Sequence, residues 1–248
     1  MRITLAALSI FALASSVAPA FAQDAPAAEP AAEETPAISI TGGVTLVSDY
    51  RFRGVSLSGE RPTIQGTATI THSSGFYVGV WGSGLANNTA FGSTEIDLYA
   101  GWGGTVAGLT VDANVTQYTY PQQTGAAPVD YIELLTSASK DIGPLNAKLG
   151  FGFIPKQTGY GNASAVYIYN DYALGIPSTP LKVKGHVGYN KSDFNLSPEI
   201  FDYSVGVEAT YKALTFGVSY VNTDIKPRAF KEASGADGAV LFTLGASF

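Results

Sequence analysis

From Ile38 to its last residue this chain alternates hydrophobic and polar residues. Ile38, Ile40, Val44 and Leu46 share one parity, while Ser39, Thr41 and Thr45 share the other. Successive side chains of a strand point to opposite sides, so the two-residue period predicts a strand with one apolar and one polar face. The period recurs with Ile64, Ala68 and Ile70 against Thr63, Gln65, Thr67, Thr69 and Thr71, and with Ile96, Leu98, Ala100 and Trp102 against Glu95, Asp97 and Tyr99. Leu109, Val111, Ala113 and Val115 likewise oppose Thr110, Asp112, Asn114 and Thr116. Segments 145–153, 181–189 and 203–211 repeat it, and the final one puts Val240, Phe242, Leu244, Ala246 and Phe248 on one face. Segments 76–84, 131–139, 165–173 and 214–222 are less regular, which leaves open the faces of Tyr77, Trp81, Glu133, Tyr167 and Tyr169. Twelve strands result.

The connections sort by length. Short turns are expected at 73–75, 103–104, 140–143, 175–179 and 211–213, and longer polar stretches at 54–61, 85–92, 121–128, 156–163, 190–199 and 223–236. Strict alternation of short and long connections is what an up-and-down barrel with both termini on one side requires. On the first strand the parity continues into Tyr50 and Phe52, which predicts an aromatic girdle there, with Asp49, Arg51 and Arg53 pointing inward.

Composition then decides what surrounds the sheet. Charged residues are only 14% of the chain, against about a quarter in soluble domains. Past the N-terminus no segment is long and apolar enough for a membrane helix. In lipid every backbone polar group must be satisfied within the protein, and a closed sheet is the non-helical way to do so. The expected fold class is therefore all-β, a transmembrane antiparallel up-and-down β-barrel of about twelve strands over residues 38–248, with outer-membrane lipid as its partner. Met1-Arg2, an apolar run from Leu5 to Ala14 and Ala20-Phe21-Ala22 predict a signal peptide at 1–22, cleaved before Gln23, and hence a bacterial outer-membrane location. Residues 23–37, rich in Ala, Pro and Glu, are expected to be a disordered periplasmic tail. The chain has no Cys and a formal net charge of −6. No disulfide framework and no nucleic-acid partner are expected from that balance.

Two resemblances add to this reading. The alternation that ends in Phe248 resembles the signal by which outer-membrane barrels are recognised by their assembly machinery. Val44 to Ser83, above all Ser48-Asp49-Tyr50-Arg51-Phe52-Arg53-Gly54, resembles the opening of the TorF family of porins, and Glu95 to Gly101 and Tyr120-Pro121 match as well. Where that family would have Gly after Tyr-Pro, this chain has Gln122. The resemblance implies an outer-membrane channel and names no substrate.

Alternating the strand directions places Arg51, Arg53, Glu95, Asp97 and Glu133 in the outer half of the lumen. Lys148, Lys182 and Lys184 fall in the inner half, and His186 faces the lumen at mid-strand. The function this implies is passive diffusion of small solutes past a constriction of Arg51 and Arg53 against Glu95, Asp97 and Glu133, whose field sets selectivity. The same residues could instead pair and fill the lumen. His72 and His186 lie on different strands with no Cys, so no metal site or cofactor is expected. No catalytic residue is assigned. The alternatives are a closed barrel with a structural or adhesive role in loop 223–236, or an outer-membrane enzyme using Glu95, Asp97 and His186.

Overall fold

The first strand, β1 (Ile38–Val47), lies between β4 (Thr63–His72) and the last strand, β14 (Ala239–Ser247), so the sheet closes on itself. The ring runs β1, β4, β5 (Phe76–Gly84), β6 (Thr94–Val106), β7 (Leu109–Thr119), β8 (Tyr131–Ile142), β9 (Leu145–Gln157), β10 (Ala163–Gly175), β11 (Leu181–Ser192), β12 (Glu199–Tyr211), β13 (Leu214–Thr223) and β14, every pair antiparallel. The computed structural model describes residues 37–86, 91–123, 125, 127–193 and 198–248. The expected signal peptide at 1–22, and the tail at 23–37 except Ala37, lie outside the described residues. At the seam Leu46 faces Leu244, and Gly42 and Phe248 exchange backbone N–H···O bonds of 2.9 Å each.

An even strand number puts the chain's two barrel ends on one rim, and the short turns share that rim. The expected turn at 103–104 is corrected: Gly103 and Gly104 stay paired with Asp112 and Val111, and the chain reverses at Ala107–Gly108. Both turn residues have positive φ, 51° and 77°, the geometry of a two-residue hairpin whose twist matches its strands.

The apolar parity faces outward throughout: Leu98 is 56% exposed, Val205 57% and Phe242 59%. The faces left open are settled. Tyr77, Trp81, Glu133 and Tyr167 are buried in the interior, while Val80, Ile132 and Ile168 face out. Aromatic residues mark both rims of the outer wall, with Phe76 and Tyr211 by the short turns and Phe201 and Tyr220 at the opposite end. Tyr50 and Phe52 do not belong to that girdle. The chain leaves the sheet at Ser48, whose N–H donates to Phe242 O at 2.9 Å and whose Oγ accepts from Phe242 N–H at 2.9 Å. It then turns into the lumen, carrying Tyr50 against Trp81. The alternating charges Asp49, Arg51 and Arg53 can be paired there.

Val205 sits at the centre of β12 on the outer wall. Val205→Arg is expected to cost about 2–4 kcal/mol, the range for Arg at the bilayer midplane. Urea titration of the protein folded into lipid vesicles measures it, and an unchanged midpoint would mean that this face does not meet hydrocarbon.

Candidate functional site

The protein's own first long connection folds into the outer half of the lumen. Within it β2 (Arg51–Phe52) and β3 (Val55–Ser56) form a hairpin with register Arg51↔Ser56 and Phe52↔Val55. Its two turn residues, Arg53 and Gly54, have φ of 48° and 82°. A hairpin this short needs both central residues left-handed, which Gly adopts freely and Arg only at a cost of about 1–2 kcal/mol. Gly54 also lies so close to Thr223 that a Cβ would overlap it.

The base of the hairpin is a polar knot. Asp49 Oδ2 accepts from Arg51 Nε at 2.6 Å, and Asp49 Oδ1 accepts from Ser56 Oγ at 2.6 Å and Ser58 Oγ at 3.0 Å. Arg51 Nη1 donates to Asp237 O at 2.6 Å, which ties the hairpin to the last long connection. Short helix α1 (Arg228–Ala233) belongs to that connection. Ser56 N–H donates to Gly235 O at 3.1 Å, and Ile225, Ala236 and Ile200 pack with Val55. At the tip Arg53 pairs with Glu133 of β8, their side chains 9% and 1% exposed. The guanidinium also lies 4.0 Å from the centre of the Tyr167 ring on β10. Glu133 Oε2 accepts from the Tyr118 hydroxyl at 3.0 Å. Phe52 packs on Tyr118 edge to face, with ring centres 5.9 Å apart, in a cluster of Tyr118, Tyr120, Tyr131, Ile154 and Ala165.

A second network lies below the tip. His186 on β11 is held from both sides, with Asp171 Oδ1 2.6 Å from Nδ1 and Asp202 Oδ1 2.9 Å from Nε2. The Tyr167 hydroxyl donates to Asp202 at 3.1 Å. Lys148 approaches Asp171 at 3.4 Å, and Lys184 approaches Glu208 at 3.5 Å. Tyr77 donates to Asp112 at 2.8 Å. Tyr77, Tyr167 and Asp202 are buried, whereas Asp112, Lys148, Asp171, Lys184, His186 and Glu208 are only half-buried. Tyr167 and Tyr169 stack at 5.2 Å. They lie over Gly188 and Gly150 of the flanking strands, where any Cβ would collide with a ring; glycine opposite a large lumen side chain permits this close approach.

The expected constriction is thus half assembled. Arg53 meets Glu133 as anticipated. Arg51 meets Asp49 instead of Glu95 or Asp97. Glu95 and Asp97 line β6 nearby, buried against Tyr50, Trp81 and Tyr120. Lys148, Lys184 and His186 lie in the inner half, and Lys182 is exposed near the short-turn rim. His186 bonds Asp171 and Asp202, so the grouping of Glu95, Asp97 and His186 does not form. Among the described residues no cluster of three or more His, Cys, Asp or Glu is placed to hold a metal. The sequence reading missed the pairing role of Asp49 and the tyrosines around Arg53. Parity could have found the latter, since Tyr131 shares a face with Glu133, and Tyr167 and Tyr169 share one with Asp171.

The fold and its interior define a twelve-stranded transmembrane β-barrel with a charged lumen, narrowed from the loop-bearing end by an internal hairpin. The chain belongs to the Gcw_chp family, described as bacterial protein of unknown function, whose profile matches residues 31–248. No curated protein matches it in sequence. Among solved structures it is similar to a KdgM porin in complex with disordered oligogalacturonate, with a TM-score of 0.54 at 7% identity over 84% of this chain and 97% of that one. It is also similar to the NanC porin, with a TM-score of 0.54 at 8% identity over 85% of this chain and 99% of the other. At such identities the likeness is one of fold.

Arg53→Ala strands the Glu133 carboxylate in the interior, which should cost about 3–5 kcal/mol. Replacing both partners, Arg53→Met with Glu133→Leu, should recover most of that loss, because no uncompensated charge is left. Urea unfolding in detergent micelles compares the two; equal losses would show that the pair is solvated.

Proposed function

We propose that the protein is an outer-membrane channel for passive diffusion of small solutes, with the 48–61 segment as its constriction. The observation that carries this reading is the inner half of the lumen. A barrel sealed by its own side chains would bury such paired charges fully. Here it is lined by half-buried Lys148, Lys184, His186, Asp112, Asp171 and Glu208, as in a wet pore. The resemblance of Ser48 to Gly54 to the TorF porins and the porin fold of the similar structures point the same way.

Selectivity follows from the balance of lumen charge. Asp49, Glu95, Asp97, Asp112, Glu133, Asp171, Asp202 and Glu208 outnumber Arg51, Arg53, Lys148, Lys184 and His186 on the barrel interior. A net negative lining favours cations through the field it focuses in a narrow passage. Arg51 and Arg53 then act mainly as anchors of the hairpin. We assign no catalytic role: both ring nitrogens of His186 are engaged by carboxylates, and His72 bonds Ser74 at 2.7 Å at the short-turn rim. Export by the 1–22 signal and delivery to the barrel-assembly machinery through the strand ending in Phe248 complete the proposal.

Planar-bilayer recording of the refolded mature protein tests it. A cation-preferring conductance is expected. A variant in which a short glycine linker replaces residues 51–56 should conduct several-fold more and admit larger neutral polyethylene glycols. Silence from both proteins would leave a closed structural barrel as the better reading.

A further inference from the structure

Among the described residues, Glu95 and Asp97 each keep one buried carboxylate oxygen that accepts no hydrogen bond. They stand two residues apart on β6, on its inward face, 1% and 7% exposed. Strand rise puts their backbones only about 7 Å apart, so both carboxylates can converge on one atom. The Glu95 carboxyl takes the Tyr120 hydroxyl on Oε1 at 3.0 Å and has the Tyr50 hydroxyl beside it as well. Glu95 Oε2 and Asp97 Oδ1 are buried and accept from no group among the described residues. The nearby arginines are committed elsewhere, Arg53 to Glu133 and Arg51 to Asp49. Glu133 adds further negative potential at Asp97. Tyr50 and Trp81, with ring centres 5.3 Å apart, complete the surroundings.

Two adjacent carboxylates cannot stay ionised and unpaired out of water, where even one isolated charge is strongly penalised. We infer that Glu95 and Asp97 form a binding site for a hard metal cation in the lumen wall beneath the hairpin. The donor chemistry selects the class. Carboxylate and hydroxyl oxygens suit Ca²⁺ or Na⁺, whereas softer metals want imidazole or sulfur, and His186 is occupied by Asp171 and Asp202. With two acidic side chains rather than a full cage, the remaining ligands must be hydroxyl, backbone or water oxygens, so the site is of modest affinity. The inference stands whether or not the barrel conducts.

Trp81 sits directly across from Asp97 in the sheet register, which supplies the readout. The mature protein, refolded from inclusion bodies and therefore free of lipopolysaccharide, is titrated with Tb³⁺ while tryptophan is excited. Saturable Tb³⁺ luminescence is expected, retained in Trp102→Phe and lost in Glu95→Gln/Asp97→Asn. Displacement by CaCl₂ alone would identify a divalent site. Equal displacement by NaCl at matched ionic strength would identify a monovalent one, and either supports the site. A second measurement needs no variant: the thermal midpoint of the wild-type protein should rise when choline chloride is replaced by CaCl₂ or NaCl at constant ionic strength and pH. Should the double variant fail to fold, Glu95→Gln alone must weaken both signals. Absent luminescence with an unmoved midpoint overturns the inference, as does luminescence that survives in the substituted protein; the two carboxyls would then be held neutral by protons.

Discussion

Pairing of every backbone N–H and C=O around a ring is the constraint on which this structure depends. In hydrocarbon an open sheet edge leaves polar groups with no partner, at several kcal/mol each. The seam between β1 and β14 removes the last two edges, and the mutual bonds of Gly42 and Phe248 extend it to the final residue. Closure in turn dictates the sequence. Apolar residues such as Val205 and Phe242 must face out, and the interior inherits the polar parity. The protein is inside out relative to a soluble domain, so its hydrophobic core cannot come from the strands' apolar faces.

That is why the core forms around a loop. All three buried apolar clusters among the described residues draw on the 48–61 segment: Phe52 joins the tyrosine cluster, Tyr50, Phe52 and Leu57 that of Trp81, and Val55 that of Ile200, Ile225 and Ala236. The polar residues of the same stretch are equally committed. Ser48 ends the seam, Asp49 gathers Arg51, Ser56 and Ser58, and Gly54 supplies the turn. A motif in which nearly every side chain has a distinct partner tolerates few changes.

The strands were legible because a sheet wetted differently on its two sides writes its period directly into the chain. Strand number, closure and loop alternation follow from that period together with the low charge. Legibility failed where the period continued without a strand. Tyr50 and Phe52 keep the parity of Leu46, yet the backbone has left the sheet at Ser48. A girdle aromatic and an aromatic folded into the lumen look identical in a two-residue pattern. The turn at Ala107–Gly108 was missed for a related reason: Gly103 and Gly104 carry a turn-like composition but remain in the ladder. Partner choice was the least legible feature. Parity puts Arg51, Arg53, Glu95, Asp97 and Glu133 in one compartment, but which pairs form depends on how far the hairpin reaches, and no local pattern encodes that distance.

The reach of the hairpin is set by two kinds of interaction with different consequences. Burial of Phe52, Val55 and Leu57 is non-directional and roughly proportional to area, so it holds the hairpin in the lumen without fixing its depth. The Arg53–Glu133 pair adds little net stability, because desolvating two charges offsets most of their attraction. Its directionality supplies what apolar packing lacks. Glu133 is held by the Tyr118 hydroxyl, and the Arg53 guanidinium is seated on the Tyr167 ring. The tip therefore has one satisfactory position, and shifting it in either direction would leave a buried charge unpaired. An ion pair of small net energy can thus define the narrowest point of the lumen sharply. The half-buried charges below it, each already paired, need no contribution from the hairpin and keep their arrangement whichever way the tip is held.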